Sequence, residues 1–237
     1  MNLLLLFPSD FTAPGRVRLT GRRFVHLQQI LAVKPGDILC TGLAGGSMGR
    51  GIVREVSDNE AVLDVSLTDS PPKKLPVILC AALMRPLVLK RVLLTAASLG
   101  VSEIILMNSS RVEKSFWQSS VLREEELQEQ LQLGLEQSRD TIFPVVTRQE
   151  RFRPFVEDVL PGLLQGRRGV VADPSGDSAF FKERVTGGVV LLVGPEGGFI
   201  PWELEQFRLA GCCIAGLGER ILRVDTAIVT LLAKLFP

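Results

Sequence analysis

The sequence contains few side chains that bind transition metals. Its only histidine is His26, and its four cysteines, Cys40, Cys80, Cys212 and Cys213, form no C-x-x-C pair. Because structural zinc sites use three or four Cys and His ligands at short spacings, the sequence gives poor support for a metal site. The cysteines are instead expected to be buried, reduced thiols of a cytoplasmic protein.

Charge of one sign and long apolar runs are also lacking. Lys and Arg total 27 and Asp and Glu total 26, so the net charge of +1 favours no polyanion, and contacts with nucleic acid must come from local patches. Residues 3–7 form an apolar run that is closed by Pro8 and Asp10 and preceded by no basic residue. The run is far shorter than the ~20 residues of a membrane-spanning helix, so a soluble, unexported protein is predicted.

Residues 1–70 have the pattern of a small β-barrel. The chain has 237 residues, of which 46% are hydrophobic, and can form one large domain or two modest ones. In this first part, short strands alternate with turns such as Gly45-Gly46 and Asp58-Asn59, and one helix is predicted at residues 24–31. The predicted strands are residues 3–7, 17–19, 38–43, 51–56 and 61–67.

Residues 71–237 have the alternation of an α/β domain. Residues 69–76 contain three prolines, which discourage helix and central strand, so a stiff connector and the domain boundary are predicted there. Apolar runs then alternate with longer amphipathic stretches, which is typical of a mainly parallel sheet with helices on both faces. The predicted strands are residues 77–82, 103–107, 169–172, 189–193 and 213–215, and the predicted helices are residues 87–99, 118–137 and 225–236, with a further helix opening at Pro201.

Two glycine-rich loops follow predicted strands near the C-terminus. Strand 189–193 runs into a loop with three glycines among residues 194–198, and strand 213–215 runs into residues 216–223. Because glycine has no Cβ, the amides of such loops can approach a ligand closely, and α/β sheets bind ligands at the carboxyl ends of strands. The two loops are therefore predicted to hold a nucleoside-sized ligand. The alternative is that the glycines serve packing alone.

Two common nucleotide sites do not fit these loops. The segment from Gly216 to Ile221 lacks the third glycine of a dinucleotide fingerprint, and the 19 residues after Gly218 leave no room for a strand carrying a ribose-binding acid. No Gly-Lys-Ser/Thr sequence follows either loop, which excludes a P-loop.

Two long motifs carry a resemblance to a known family. They are Leu192-Val193-Gly194-Pro195-Glu196-Gly197-Gly198-Phe199, with Glu203 beyond it, and Leu217-Gly218-Glu219-Arg220-Ile221-Leu222-Arg223-Val224-Asp225-Thr226-Ala227. Weaker matches lie around His26, Leu99, Arg111 and Glu136. Over most of its length the chain resembles the ribosomal RNA small-subunit methyltransferase E family, whose members methylate N3 of a uridine in 16S ribosomal RNA.

The resemblance implies a fold, a cofactor and partners. Residues 1–70 would form a PUA-like β-barrel that helps to hold RNA, and residues 71–237 a SPOUT domain with a trefoil knot, working as a homodimer. The knotted loops would grip S-adenosylmethionine, with small-subunit ribosomal RNA as the partner and with no membrane or metal. The implied cofactor-binding residues are Ala172, Val193, Gly194, Glu196, Gly197, Gly198, Leu217, Gly218, Ile221, Leu222 and Thr226.

The chain departs from the family pattern on the substrate side. Thr95 and Ser98 replace charged residues, Ala32 stands where an arginine is usual, and Asp225 stands where glutamate is commoner. These departures spare the cofactor loops but leave the modified nucleotide open. Two alternatives therefore stand beside an active methyltransferase: a catalytically silent RNA-binding relative, and an unrelated α/β enzyme that binds a nucleotide in the same loops.

Methylation at uridine N3 sets the chemistry required of the site. N3 carries a proton at neutral pH, so a base must remove it and a cation must stabilise the negative charge on O2 and O4. Arg223 is the predicted cation, and Glu196 is the predicted base or sulfonium neighbour. The alternatives are an ion pair between Arg223 and Asp225 at the start of a helix, and a Glu196 carboxylate that caps its own loop amides.

Four arginines in eight residues form a candidate RNA-binding patch. Arg16, Arg18, Arg22 and Arg23 have no acid among them, and strand alternation places Arg16 and Arg18 on one face. Contacts with RNA phosphates are predicted, with a solvated surface run as the alternative.

Overall fold

The computed structural model describes residues 2–178, 180 and 187–236. The chain divides into two compact units, one formed by Met1–Lys73 with Gln132–Phe143 and the other by Lys74–Leu131 with Pro144–Pro237. The predicted domains are continuous in sequence, whereas the first unit includes a segment from the middle of the chain. Each unit has its own six-stranded sheet.

The sheet of the first unit has the strand order β1-β4-β5-β6-β3-β2. β1 pairs with β4 in parallel, and the other pairs are antiparallel. The five predicted strands form with slightly shifted ends, and the unpredicted three-residue β2 lies at one edge. The elements are β1 (Leu4–Leu6), β2 (Phe11–Ala13), β3 (Arg16–Leu19), α1 (Gly21–Gln29), β4 (Ile38–Leu43), β5 (Met48–Val56) and β6 (Ala61–Asp69).

Alternation along β3 separates the core of the first unit from its surface. Val17 and Leu19 are buried, while Arg16 and Arg18 between them are exposed. Successive side chains of a strand point to opposite faces, so β3 gives the core only its apolar face. Phe24 and other apolar side chains of α1 pack into the same core.

The segment Gln132–Phe143 joins the first unit through backbone hydrogen bonds. The Leu3 N–H donates to the Glu136 carbonyl at 2.9 Å, and the Gly45 N–H donates to the Thr141 carbonyl at 2.8 Å. Local sequence patterns do not report such pairings, because the partners lie far apart in the chain.

The sheet of the second unit is parallel throughout, with the order β12-β10-β11-β7-β8-β9. Residues 77–82 of the central β7 are all buried, as expected for a strand covered on both faces. The predicted α/β class with a mainly parallel sheet is therefore confirmed. The strands are β7 (Leu75–Ala82), β8 (Val101–Met107), β9 (Val145–Gln149), β10 (Arg167–Ala172), β11 (Gly188–Val193) and β12 (Cys213–Ala215).

Helices connect these strands. α4 and α5, which were not predicted, are joined by the π-helical turn Phe155–Val159. The helix predicted at residues 118–137 begins at Glu124, where three glutamates occupy the first turn and interact favourably with the helix dipole. The helices are α2 (Pro86–Ser98), α3 (Glu124–Ser138), α4 (Phe152–Pro154), α5 (Leu160–Leu163), α6 (Pro201–Leu209) and α7 (Val224–Leu235).

Two strand predictions need correction. The edge strand β9 was missed because most of its residues are exposed and show no apolar alternation. The predicted connector ends too late, because β7 begins at Leu75 and includes Pro76. Proline is tolerated there because the pairing of β7 with β8 is irregular between Leu75 and Ile78.

All four cysteines are free thiols. Cys80 and Cys212 are buried, whereas Cys40 and Cys213 are only partly buried, so the expectation of buried thiols holds for two of the four. Burial raises the pKa of the Cys80 thiol well above its usual range and raises the pKa of Cys212 to about 12. Across the described residues, no helix is long and apolar enough to cross a membrane, and no three His, Cys, Asp or Glu side chains are grouped as metal ligands.

Candidate functional site

Three loops meet at the carboxyl edge of the second unit's sheet. They follow β10, β11 and β12, which are neighbouring parallel strands and so end at the same edge. Residues from these loops line a cavity of about 690 Å³. Ligand sites of α/β proteins occur at such positions.

The loop after β11 folds back on itself at Gly194 and Gly198. A Cβ at Gly194 would lie 3.2 Å from the Cα of Gly198. The Gly198 N–H donates to the Pro195 carbonyl at 2.8 Å, and Gly198 has a left-handed φ of +72°. Larger side chains at either glycine would disturb the backbone that faces the cavity.

Two contacts from distant parts of the chain hold this loop. The Oε1 atom of Glu196 accepts the N–H of Arg85, the residue before α2, at 3.1 Å. The Arg111 guanidinium donates to the carbonyl of Gly197. The loop after β11 is thereby tied to the loops that follow β7 and β8.

Glu203 links the same region to the loop after β8 from within the protein. Its side chain is buried, with 1% of the residue exposed. Its Oε1 accepts the Ser110 N–H at 2.7 Å, and its Oε2 accepts the Ile200 N–H at 3.0 Å. Glu203 therefore caps the start of α6 and fixes a second loop with one carboxylate.

The loop after β10 lies against the end of β12. The Asp173 N–H donates to the Ala215 carbonyl at 3.1 Å, and the Gly216 N–H donates to the Asp177 carbonyl at 3.3 Å. A Cβ at Gly176 would lie 2.6 Å from the backbone of Ala215, and a Cβ at Gly216 would lie 2.6 Å from the Gly176 carbonyl oxygen. This close backbone approach requires both glycines.

The structure brings all but one of the predicted catalytic and cofactor-binding residues to the one cavity. Thr226 is the exception, because it is exposed on α7 while its neighbours Asp225 and Ala227 line the cavity. Successive helix residues are turned by about 100°, so Thr226 lies on the side of α7 opposite to Val224, which lines the cavity. The predicted residues that line it are Ala172, Val193, Gly194, Glu196, Gly197, Gly198, Leu217, Gly218, Ile221, Leu222 and Arg223.

Comparison with protein families identifies the second unit. The profile of the RNA methyltransferase domain matches residues 71–235, which is most of the chain. The chain belongs to the RNA methyltransferase domain family.

This RNA methyltransferase is similar to proteins named ribosomal RNA small subunit methyltransferase E. It is 27% identical to that of Treponema pallidum over 233 residues, covering 96% of this chain and 87% of the relative. It is 26% identical to that of Synechocystis over 228 residues, covering 92% and 72%. The resemblance expected from the two motifs is therefore confirmed.

A solved structure shares the fold of this RNA methyltransferase. It is the ribosomal RNA small subunit methyltransferase E of Neisseria gonorrhoeae bound to S-adenosyl methionine, with a TM-score of 0.75 at 21% identity. The similarity covers 98% of this chain and 95% of that one.

Both predicted catalytic residues of the methyltransferase line the cavity. The Arg223 side chain is 69% exposed, and its Nε lies 3.6 Å from Asp225 Oδ1, so the predicted alternative of a helix-start ion pair is present. Exposed pairs of this kind are weak, which leaves the guanidinium free to turn towards a ligand. The N–H that Glu196 accepts belongs to Arg85, in another loop, and not to its own loop as the alternative supposed.

Several residues of the methyltransferase cavity were missed from the sequence. Arg111 belongs to a weak family match, but nothing in its local sequence indicates that it reaches the glycine loop. Val88 of α2 and Leu231 of α7 also line the cavity. Their apolar helical spacing is the same as that of core residues, so no sequence signal separates the two roles.

The four arginines of the predicted RNA-binding patch lie in the first unit, and each contacts a carboxylate. Arg16 and Arg18 have about half of their side-chain surface exposed, whereas the Arg23 side chain is 17% exposed and pairs with the buried Asp10. Hydrogen bonds from Arg16 and Arg54 lower the pKa of Asp64. The pairs are Arg16–Asp64 at 2.8 Å, Arg18–Glu60 at 3.6 Å, Arg22–Glu136 at 3.1 Å and Arg23–Asp10 at 2.5 Å.

Proposed function

We propose that this RNA methyltransferase transfers a methyl group from S-adenosylmethionine to N3 of a uridine in 16S ribosomal RNA. The observation that carries the proposal is the cavity of about 690 Å³ between the glycine loops. Its volume lies in the range of small-ligand sites. The names of the relatives support small-subunit ribosomal RNA as the acceptor, and the ligand of the Neisseria protein supports the choice of donor.

The lining suits a nucleoside that carries a charged thioether chain. Apolar side chains such as Val193 and Leu222 can cover an adenine ring. The bare backbone at Gly194 and Gly198 leaves amide and carbonyl groups for the polar edge of the ring. The proposed cofactor-binding residues are Ala172, Val193, Gly194, Glu196, Gly197, Gly198, Leu217, Gly218, Ile221 and Leu222.

We assign the two catalytic requirements to Arg223 and Glu196. S-adenosylmethionine, when bound, supplies an electrophilic methyl group on its sulfonium. Glu196 uses one carboxylate oxygen to accept the Arg85 N–H, and its other oxygen takes the proton from uridine N3. Arg223 donates hydrogen bonds to the uracil oxygen on which negative charge develops.

We propose roles for the two units as well. The first unit, predicted over residues 1–70, is a PUA-like barrel that helps to hold ribosomal RNA, with Arg16 and Arg18 the most exposed of its four candidate arginines. The second, predicted over residues 71–237, is a SPOUT domain with a trefoil knot. We propose that two copies act as a cytoplasmic homodimer.

Calorimetric titration and a methyl-transfer assay test the function together. The wild-type protein is expected to bind S-adenosylmethionine stoichiometrically and to methylate a uridine in either unmodified 16S ribosomal RNA or assembled small subunits, mapped by mass spectrometry. Absence of cofactor binding would reject the proposal. Cofactor binding without methyl transfer to either acceptor would favour the catalytically silent alternative.

Arg223→Ala separates chemistry from cofactor binding. The variant should keep the cofactor Kd and lose roughly 10²–10³-fold in kcat, as for removal of an oxyanion-stabilising donor. Arg208→Ala is the matched control, because Arg208 is paired with Glu205 on α6 and does not line the cavity. Normal turnover by Arg223→Ala would remove Arg223 from the mechanism.

A further inference from the structure

A second cleft lies beside the cavity in the same unit. It has a volume of about 330 Å³ and is built from the loop after β8, the start of α4 and the start of α6. Arg111 and Phe199 line the main cavity, and their chain neighbours Ser110 and Ile200 line the cleft. The loop after β8 and the loop before α6 therefore contribute residues to both spaces. The other residues of the cleft are Asn108, Ser109, Phe152, Arg153, Trp202 and Glu203.

The cleft has an aromatic wall with a cation above it. Trp202 is 43% exposed, which is unusual for so large an apolar side chain. Its ring packs against Phe152 at a centroid distance of 5.6 Å, and Phe152 packs in turn against the buried Phe207 at 5.3 Å. The guanidinium of Arg153 lies 5.6 Å from the Trp202 ring centroid. Phe152 therefore supports the Trp202 ring from within the protein, while part of the ring is exposed to solvent.

The accessible charge of the cleft is positive. Its one carboxylate, Glu203, is buried, and both of its oxygens accept backbone N–H groups. Arg153 is exposed and forms no ion pair within the described residues. A ligand at this cleft therefore meets a cation and an aromatic face without an exposed acid.

The polar side of the cleft includes a hydroxyl group without a described hydrogen-bond partner. Ser109 is 4% exposed, and its Oγ has no hydrogen-bond partner among the described residues. Buried hydroxyl groups are usually paired, so an unpaired one beside a cleft is a candidate partner for a ligand. An aromatic face, a guanidinium and a hydrogen-bonding group are the parts with which proteins bind unstacked bases of single-stranded RNA.

We propose that this cleft binds an unpaired base of the RNA substrate, next to the nucleotide that enters the methyl-transfer cavity. The base stacks on Trp202, and Arg153 stacks beside it and contacts the phosphate. The proposal rests on the proposed RNA substrate. It adds a subsite that selects RNA in which the target and its neighbour are both unstacked.

Fluorescence offers a direct test, because the chain contains two tryptophans and no tyrosine. The probe is single-stranded decauridylate, compared with an abasic ribose-phosphate decamer of the same charge. We expect decauridylate to quench the tryptophan emission of the wild-type protein and the abasic decamer to leave it unchanged. Trp202→Phe should lose the quenching and keep the affinity within about threefold, because phenylalanine still stacks.

Two further variants measure the affinity. Trp202→Ala should bind decauridylate about tenfold more weakly and should bind the abasic decamer as the wild type does. Arg153→Gln should bind both probes severalfold more weakly, because its contact with a phosphate does not need the base. Unchanged decauridylate affinity in Trp202→Ala would overturn the subsite. Equal losses of Trp202→Ala for the two probes would also overturn it, because they would indicate misfolding instead of lost stacking.

The outcome is separable from that of the proposed function. Wild-type protein and Trp202→Ala are expected to bind S-adenosylmethionine with the same Kd. If the wild type binds the cofactor and methylates RNA but Trp202→Ala keeps its RNA affinity, only the subsite fails. If the wild type binds no cofactor, the proposed function fails, and the decauridylate measurements still decide the subsite.

Discussion

Glu203 is a buried carboxylate whose only described partners are two backbone N–H groups. It joins the loop after β8 to the start of α6 through Ser110 and Ile200. Neither of these contacts involves a cation, so the negative charge is stabilised by peptide dipoles at the start of the helix. One side chain thereby positions a wall of the cavity and a wall of the neighbouring cleft.

Replacing Glu203 with glutamine should destabilise the protein. One of the two N–H donors would then face an amide NH₂ group, and a buried donor left without an acceptor costs about 1–3 kcal/mol. Chemical denaturation of Glu203→Gln measures this loss. The control is Glu205→Gln on the same helix, where the side chain is 54% exposed and a change within about 0.5 kcal/mol is expected. Equal stability of the two variants would contradict the assignment.

The four arginines of the predicted RNA-binding patch differ in their structural roles. Arg23 donates to both oxygens of Asp10 and to the Leu5 carbonyl, so its side chain is part of the interior of the first unit. Arg16 and Arg18 remain on the surface of β3. Four arginines that are equivalent in the sequence are therefore not equivalent as partners for RNA.

The backbone of the loop after β10 packs directly against the backbone at the end of β12. The contact leaves no space for a side chain at Gly176 or Gly216. The sequence predicts a glycine loop after β12 and assigns its glycines to ligand approach, with packing as the alternative. Gly216 serves the packing of one loop against another, and this packing forms the wall of the cavity.

Gly216→Ala should therefore lower stability and weaken cofactor binding. Its Cβ would meet the Gly176 carbonyl oxygen at 2.6 Å, so the loop must move. We expect a loss of about 2 kcal/mol, in the range of overpacking substitutions, and a higher Kd for S-adenosylmethionine in calorimetry. The control is Gly162→Ala in α5, where no atom beyond the adjoining helix backbone lies within 4 Å of the added Cβ and alanine favours helix. A Gly216→Ala variant as stable as this control would rule out the proposed contact.

The whole molecule combines two sheets of different character. The first unit has a mostly antiparallel sheet with one core face, and the second has a parallel sheet covered on both faces. Burial in the second unit extends to its thiols. Cys80 lies within the central strand, and Cys212 directly precedes β12.

Because of these buried thiols, the free energy of unfolding is expected to decrease at alkaline pH. The folded pKa of Cys212 is raised from about 9 to about 12, so the unfolded chain releases this proton first as the pH rises. The free energy of unfolding contributed by this thiol is complete below pH 9 and is lost progressively towards pH 12. Cys80 acts in the same direction.

Urea denaturation between pH 8 and about 10.5 checks this dependence. Wild-type stability should fall with increasing pH more steeply than that of a Cys80→Ala/Cys212→Ala variant. Parallel pH profiles for the two proteins would show that the thiols have the same pKa values in the folded and unfolded states.

Features that depend on near neighbours in the chain are predictable from the sequence. Apolar runs such as residues 189–193 fixed the strands of the parallel sheet. Glycines after two of these strands indicated the cavity, and the two motifs indicated the family. These predictions succeeded because strand burial and backbone freedom are encoded within a few residues.

Contacts between residues that are distant in the chain follow from the packing of the folded protein. Asp64 is 48 residues from Arg16, and Glu136 is 114 residues from Arg22. The local sequence around the arginines therefore does not show that carboxylates neutralise them. Arg111 likewise reaches Gly197 across 86 residues. Packing selects such partners after each element has formed, and the free energy of a contact depends on the position of both partners, which no local pattern contains.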